Sequence, residues 1–394
     1  MTTVELPRLP FPREDVLQLP QEFLALQVEA PIVPVRTPAG DVAWLVTRYA
    51  ETKALFADPR LGRSHPDPER AARISASAFL GGPMGQADTE AEAQARLRRL
   101  LAPAFSARRM ASLRSHVAEL VAGLLDRMEE QGAPTDLHEA LSFPLPVLVI
   151  CELLGVPFED REQFRVWSQR ASSLTDRAGA TAAAGALVGY MAELVGRKRR
   201  APGEDVLSDL LTAEDGGLGE DSIAFIGAAL LFAGHETTVA RIDIGALLLM
   251  AHPDQRDLLR RDPDVVPRAV EEILRVAAPA GVGIPRYAKA DIHIGGITIR
   301  SGDAVLLTGA SANRDPEAFE DPHRFDIGRD PNPHLSFGHG PHYCIGAGLA
   351  RVELREVFAA LPARFPSMQP AVPLASLRIR DTLTGGLASL PVTW

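Results

Sequence analysis

The chain is short of the residues that cross-link a fold, anchor it in a bilayer or draw it to nucleic acid. Its 394 residues include two cysteines, Cys151 and Cys344. They lie far apart in sequence, which argues against a disulfide framework and fits a reducing compartment. No CxxC pair lies near Cys344, so nothing local supplies the four or so ligands that zinc takes. The first twelve residues hold neither a charged segment followed by an apolar one nor a run of about 18 apolar residues. A soluble, unanchored, cytoplasmic protein with no membrane partner is expected. The formal net charge of −10 argues against nucleic acid as a partner, because phosphates recruit lysine and arginine.

Against these absences stand 46% hydrophobic content and a length that would allow two or three domains. Cys151 lies in the apolar run 144–156 and reads as inert core. Cys344 sits in a loop rich in glycine, Phe337-Gly338-His339-Gly340-Pro341-His342-Tyr343-Cys344-Ile345-Gly346, before a helix-forming run from Ala350 to Leu361. Glycines let backbone amides approach a neighbour closely and tolerate positive φ. A thiol at a helix N-terminus feels the positive end of the dipole, so its pKa is expected to fall toward the thiolate. Such a thiolate serves as a nucleophile, a zinc ligand or the axial ligand of a haem iron. The alternative is a buried cysteine beside a tight turn.

The longest helical candidate runs from Asp221 to Met250, about 45 Å at helical rise. Its middle holds Ala233-Gly234-His235-Glu236-Thr237-Thr238. An interior glycine costs about 1 kcal/mol relative to alanine, and the polar residues after it interrupt an apolar helix. A local rule broken in mid-core points to a functional site; a kink with a satisfied polar cluster is the bland reading. Ala229, Ala233 and Thr237 recur every four residues and share a face, with Phe232 flanking it. Helical spacing also marks 106–132 and 143–154, whereas 159–190 is alanine-rich without a dominant stripe. Short apolar runs at 32–35 and 42–46 read as a hairpin around Pro38-Ala39-Gly40. Four further strands are expected at 284–288, 292–294, 297–299 and 304–307, and residues 59–84 are irregular. Glu272 and Arg275 form an i, i+3 pair on a helix.

The loop around Cys344 resembles the haem-binding loop of the haem-thiolate monooxygenases, the cytochrome P450 family, with Phe337, Gly338, His342, Cys344 and Gly346 on its pattern positions. Other matches extend the resemblance over nearly the whole chain. It implies a mainly α fold with a small β-rich region, one domain spanning 1–394, and Cys344 as proximal ligand of a b-type haem. The long helix would cross the distal face of the haem. Thr237 would hydrogen-bond dioxygen or an ordered water, and Glu236 would relay protons. Arg98, Arg286 and His342 would meet the haem propionates. Gln94 stands where the family usually has histidine, so one propionate contact becomes neutral or is lost.

The same resemblance implies a substrate pocket at Ala229, Phe232, Ala233, Gly283, Ile284 and Leu383, roofed by 59–84 and walled by 278–284, with a turn at 382–386 reaching in. Helices within 159–190 would form a lid. Glu272 and Arg275 would make an internal ion pair, joined by Arg324, that braces the cysteine loop. The implied reaction activates dioxygen reductively and then oxidises a small hydrophobic secondary-metabolite precursor, whether terpenoid, polyketide or cyclic dipeptide. No segment is left over for a flavin or iron–sulfur centre, so a ferredoxin and its reductase would supply electrons to a monomer. Arg96, Arg98, Arg99, Arg108 and Arg109 gather into a local basic patch suited to such an acidic partner. Two alternatives remain. A peroxide-driven enzyme of the same fold usually lacks the acid–alcohol pair, and a non-enzymatic haem sensor would not need it.

Overall fold

The computed structural model describes residues 5–213, 218–277 and 282–394. The expected break at 215–217 and the first part of the wall segment 278–284 lie outside the described residues.

Helix Glu220–Ala251 is the axis of the molecule. From Thr238 to Met250 every residue except Arg241 is buried, as expected for a helix that is apolar on all sides. It packs against helices Pro144–Leu154, Arg177–Arg200 and Ala347–Arg364. Gly245 makes the last of these contacts possible, because a Cβ there would collide with the Phe358 ring and Ile273. By length and composition, both Glu220–Ala251 and Arg177–Arg200 could cross a membrane; in Glu220–Ala251, 61% of the apolar window is buried inside the fold.

Helix Ala107–Gln131 begins where the Ser106 side chain accepts the amide N–H of Arg109 and ends at Gly132, with φ 76°. The serine satisfies a donor that the first helical turn leaves free. Val117, Val121, Leu124, Leu125 and Met128 form its buried stripe and face helix Ala347–Arg364. The expected stretch 159–190 divides into helices Arg161–Ala171 and Arg177–Arg200.

The β-rich region is small. One sheet has the spatial order Ile32–Arg36, Val42–Val46, Ala304–Leu307, Ile284–Ala288, Leu61–Gly62. The first two strands form the expected antiparallel hairpin, with Ile32 opposite Val46, and Val42–Val46 runs parallel to Ala304–Leu307. Ile284 pairs with Leu307, which lays the start of strand Ile284–Ala288 beside the central cavity. Ile292–Ile294 and Ile297–Ile299 make a separate two-stranded hairpin.

Candidate active site

A cavity of about 390 Å³ lies between helix Glu220–Ala251, the cysteine loop, strand Ile284–Ala288 and the turn at 383–384. From the long helix, Leu230, Ala233, Gly234, Thr237, Thr238 and Arg241 line it. That spacing of three and four is one helix face. Ala229 falls about 110° from the centre of that face and Phe232 nearly opposite it, and, among the described residues, neither lines the cavity. Phe232 is buried and packs against Phe79, ring centroids 4.8 Å apart. The expected pocket therefore loses those two residues. Gly283, Ile284 and Leu383 do line it, as do Phe337, Gly338, His342, Cys344 and Gly346.

The cysteine loop is shaped by tight backbone contacts. Gly338 and Gly340 both have φ 72°, and a Cβ on Gly340 would meet the backbone of Phe56 and Ala57 within 3 Å. Gly346 adopts an ordinary φ of −81° and caps helix Ala347–Arg364. Cys344 donates its own N–H to the Phe337 carbonyl at 2.9 Å. Cys344 is exposed to the cavity, yet the protein packed around its sulfur raises the thiol pKa; the amides of Gly346 and Ala347 and the charges of Arg351 and Arg98 oppose this without reversing it. The expected fall toward thiolate is thus not achieved by the helix end alone, because Cys344 stands three residues before the first helical residue. Cys151 is buried in the core, its thiol pushed up to about 12 by burial.

Thr237 donates its hydroxyl to the Ala233 carbonyl, one turn back, at 3.0 Å. Its oxygen lone pairs remain for the cavity. Glu236 is buried and, among the described residues, does not line the cavity. Burial works to raise its pKa, but His235, Arg380 and the Thr384 hydroxyl outweigh burial and hold it at about 2. Arg380 Nη2 stands 3.1 Å from Oε2, and Thr384 Oγ1 donates to the same oxygen at 3.2 Å.

Cations crowd one side of the cavity. Arg286 is buried and donates to the carbonyl of Pro285; burial and neighbouring Arg63 lower its pKa to about 9. His342 is lowered to about 4 by burial and by Arg286, against the pull of Glu90. Glu90 itself is engaged by Lys289 and Ser64. Among the described residues this buried guanidinium has only a carbonyl partner, which suits a bound anion, and the two carboxylates of haem match this side of the cavity. Arg98 points elsewhere. It donates to the Tyr343 carbonyl at 2.6 Å and borders an open groove with Arg99, Arg351 and Cys344. Gln94 is half-buried one turn earlier and, among the described residues, lines neither space.

Helix Val266–Val276 grips the loop from beneath. Glu272 and Arg275, both fully buried, are joined by two bonds of 2.7 and 2.8 Å. The third member is Arg329, whose Nε lies 3.3 Å from Glu272. Arg324 contributes only its backbone carbonyl to Arg275. The turn from Asp321, at φ 43°, sends the Arg324 side chain outward toward Asp326 at 3.8 Å. Glu271 adds a clamp that sequence reading missed: it holds Arg351 at 2.7 and 2.8 Å and His334 at 3.0 Å. Arg351 in turn lies over the Phe337 ring. Arg241 and Glu353 on the cavity also went unseen, whereas Thr384 lies on the turn at 382–386 that was expected to reach in.

The cytochrome P450 family model matches residues 184–370. Over its full length the chain is similar to pentalenolactone synthase of Streptomyces exfoliatus, 48% identical over 99% of this chain and 100% of that one. This chain belongs to the cytochrome P450 family. The P450 is also 40% identical to nocardicin C N-oxygenase of Nocardia uniformis subsp. tsuyamanensis, over the whole of both chains. Among solved structures it is similar to the substrate-free cytochrome P450 PimD, a pimaricin epoxidase, with TM-score 0.88, 44% identity and complete coverage of both chains. The protein is a P450 monooxygenase of the bacterial secondary-metabolite type, and its family implies a haem cofactor.

Proposed function

We propose that the whole chain forms one P450 domain that holds haem b, with Cys344 as its axial thiolate, and oxidises a small hydrophobic secondary-metabolite precursor. The observation that carries this reading is that Cys344 and Thr237, 107 positions apart in sequence, line one cavity. Haem supplies the oxygen-activating redox chemistry. Cys344 would hold the iron, since coordination deprotonates a thiol outright, and the amides of Gly346 and Ala347 would temper the sulfur's charge. Arg286 and His342 would take the haem carboxylates, with Arg63 beside them. Arg98 would meet a carboxylate only by leaving the Tyr343 carbonyl, and Gln94 would add at most a neutral contact.

On the other wall, the Thr237 hydroxyl, which donates to the Ala233 carbonyl, would accept a hydrogen bond from an ordered water in the cavity. Glu236 relays protons toward the cavity, as general acid catalysis requires. Ala233, Gly283, Ile284 and Leu383 leave an apolar space for substrate. The substrate is a terpenoid, polyketide or cyclic dipeptide. A relative named for the polyene macrolide pimaricin supports the polyketide part of that range. Electrons come from a ferredoxin and its reductase to a cytoplasmic monomer. The Glu236–Thr237 pair favours this over a peroxide-driven enzyme.

The test is the absorption band of the reduced carbon-monoxide complex. The wild type should show the strongly red-shifted band of thiolate ligation, and Cys344→His should lose it while retaining haem. A wild-type band typical of histidine ligation overturns the reading.

A further inference from the structure

Glu236 is separated from the cavity by the face of its own helix, yet it is not cut off from it. Thr384 lines the cavity and also donates its hydroxyl to Glu236 Oε2 at 3.2 Å. Thr237 does not make this link, because its hydroxyl is spent on the Ala233 carbonyl. The turn that carries Thr384 is pinned by Gly385 N–H to the Thr382 carbonyl and by Arg380 N–H to the Gly386 carbonyl. The Thr384 hydroxyl and the guanidinium of Arg380 therefore reach the same carboxylate oxygen from one short segment.

We propose that Thr384 is a second hydroxyl of the active site, bridging the buried Glu236 carboxylate and the cavity so that protons pass between them. The inference rests on the proton role given to Glu236 above. A threonine has one O–H, so it donates either to Glu236 or into the cavity. When it turns to the cavity, Glu236 loses one of the contacts that hold its carboxylate ionised, and burial then favours protonation. The exchange is thus coupled in the useful sense. The O–H bond of Thr384 breaks as one forms on an oxygen acceptor in the cavity. The O–H bond of protonated Glu236 breaks as Thr384 regains its own. One proton moves, no electrons move with it, and solvent water restores the proton on Glu236. The other charged or titratable groups near this carboxylate are His235 on its own helix and Arg380 on the turn, with the buried His138–Asp243 pair beyond Arg380.

The test uses the holoenzyme with Thr384→Val, which keeps the shape and removes the O–H, and Thr384→Ser, which restores it. The carboxylate infrared band of Glu236 is identified at neutral pH by its loss in Glu236→Gln. It should change frequency in the valine variant and return in the serine variant. During reduction by the redox partners, the share of electrons leaving as peroxide should rise about fivefold in the valine variant, the factor one hydrogen bond is worth. It should fall back near wild type with serine. An unchanged band and peroxide share in Thr384→Val, beside a changed share in Glu236→Gln, overturn this inference alone. Equal effects of valine and serine mark a packing role and overturn it too. An unchanged share in Glu236→Gln overturns the role of Glu236 and this inference with it.

Discussion

Two buried carboxylates near one cavity behave in opposite ways, and the difference lies in what touches them. Glu236 is held ionised by His235, Arg380 and Thr384 despite its burial. Glu353, fully buried on the helix after Cys344, has an Oε2 with no hydrogen-bond partner among the described residues, and burial alone raises its pKa well above 4.5. Between that unfolded value and the raised folded one, the native state keeps a proton that the unfolded chain has released. Stability contributed by this group is therefore full below pH 4.5 and is lost as pH rises toward the folded pKa. Glu353→Gln, neutral at every pH, should flatten this decline. Urea midpoints at pH 5 and pH 8 measure it, and an equal decline in wild type and variant rejects Glu353 as its source. Thr237 gives the second prediction at this scale. Thr237→Ala should still bind substrate and accept electrons but send more of them to peroxide; unchanged coupling of electrons to product would show that proton delivery does not need this hydroxyl.

Among the elements, helix Val266–Val276 does most to set the cysteine loop in place. Its adjacent glutamates take different partners: Glu271 takes the flanking Arg351, on helix Ala347–Arg364, and His334, just before the loop, whereas Glu272 takes Arg275 and Arg329. Removing one partner of a buried pair strands the other charge, at a cost of about 3–5 kcal/mol. Arg275→Met should show that loss in denaturant unfolding. Arg329→Gln should cost less, since Arg275 remains on Glu272, while Arg324→Gln should stay within about 0.5 kcal/mol as an exposed change. Equal losses for the Arg324 and Arg329 variants would return Arg324 to the network.

For the molecule as a whole, charge is unevenly spread. A chain of net charge −10 presents, beside Cys344, an open groove bordered by Arg98, Arg99 and Arg351. Arg351 is largely answered by Glu271, and Arg98 is turned to the Tyr343 carbonyl. Arg99 is exposed on the same helix as Arg96 and, under the electron supply proposed above, would help steer an acidic redox partner. Reversing charge at Arg96 and Arg99 should slow the first electron transfer from an acidic ferredoxin at low salt and leave substrate affinity unchanged. The difference should shrink as ionic strength rises and screens the encounter. Equal reduction rates for variant and wild type at low salt would place docking elsewhere.

Much of this P450 was legible before its structure, for reasons local to the chain. The long helix is marked by its apolar run, and of its polar break Thr237 and Thr238 fall on the cavity while His235 and Glu236 are buried beside it. The hairpin and the strands at 284–307 follow from apolar runs between turn residues. The cysteine loop is legible because glycine and proline are rarely so dense by chance. Tertiary structure alone decided the rest. Which face of Glu220–Ala251 meets the cavity depended on the packing of Phe232 against Phe79, not on a period of four. The change from Arg324 to Arg329 came from one turn at Asp321, which sends Arg324 outward to Asp326 while Arg329, five residues further on, meets Glu272. The contact between Thr384 and Glu236 spans 148 positions, and no pattern within either segment records it. Periodicity reports how a segment presents its own side chains; it does not report which distant segment will meet them.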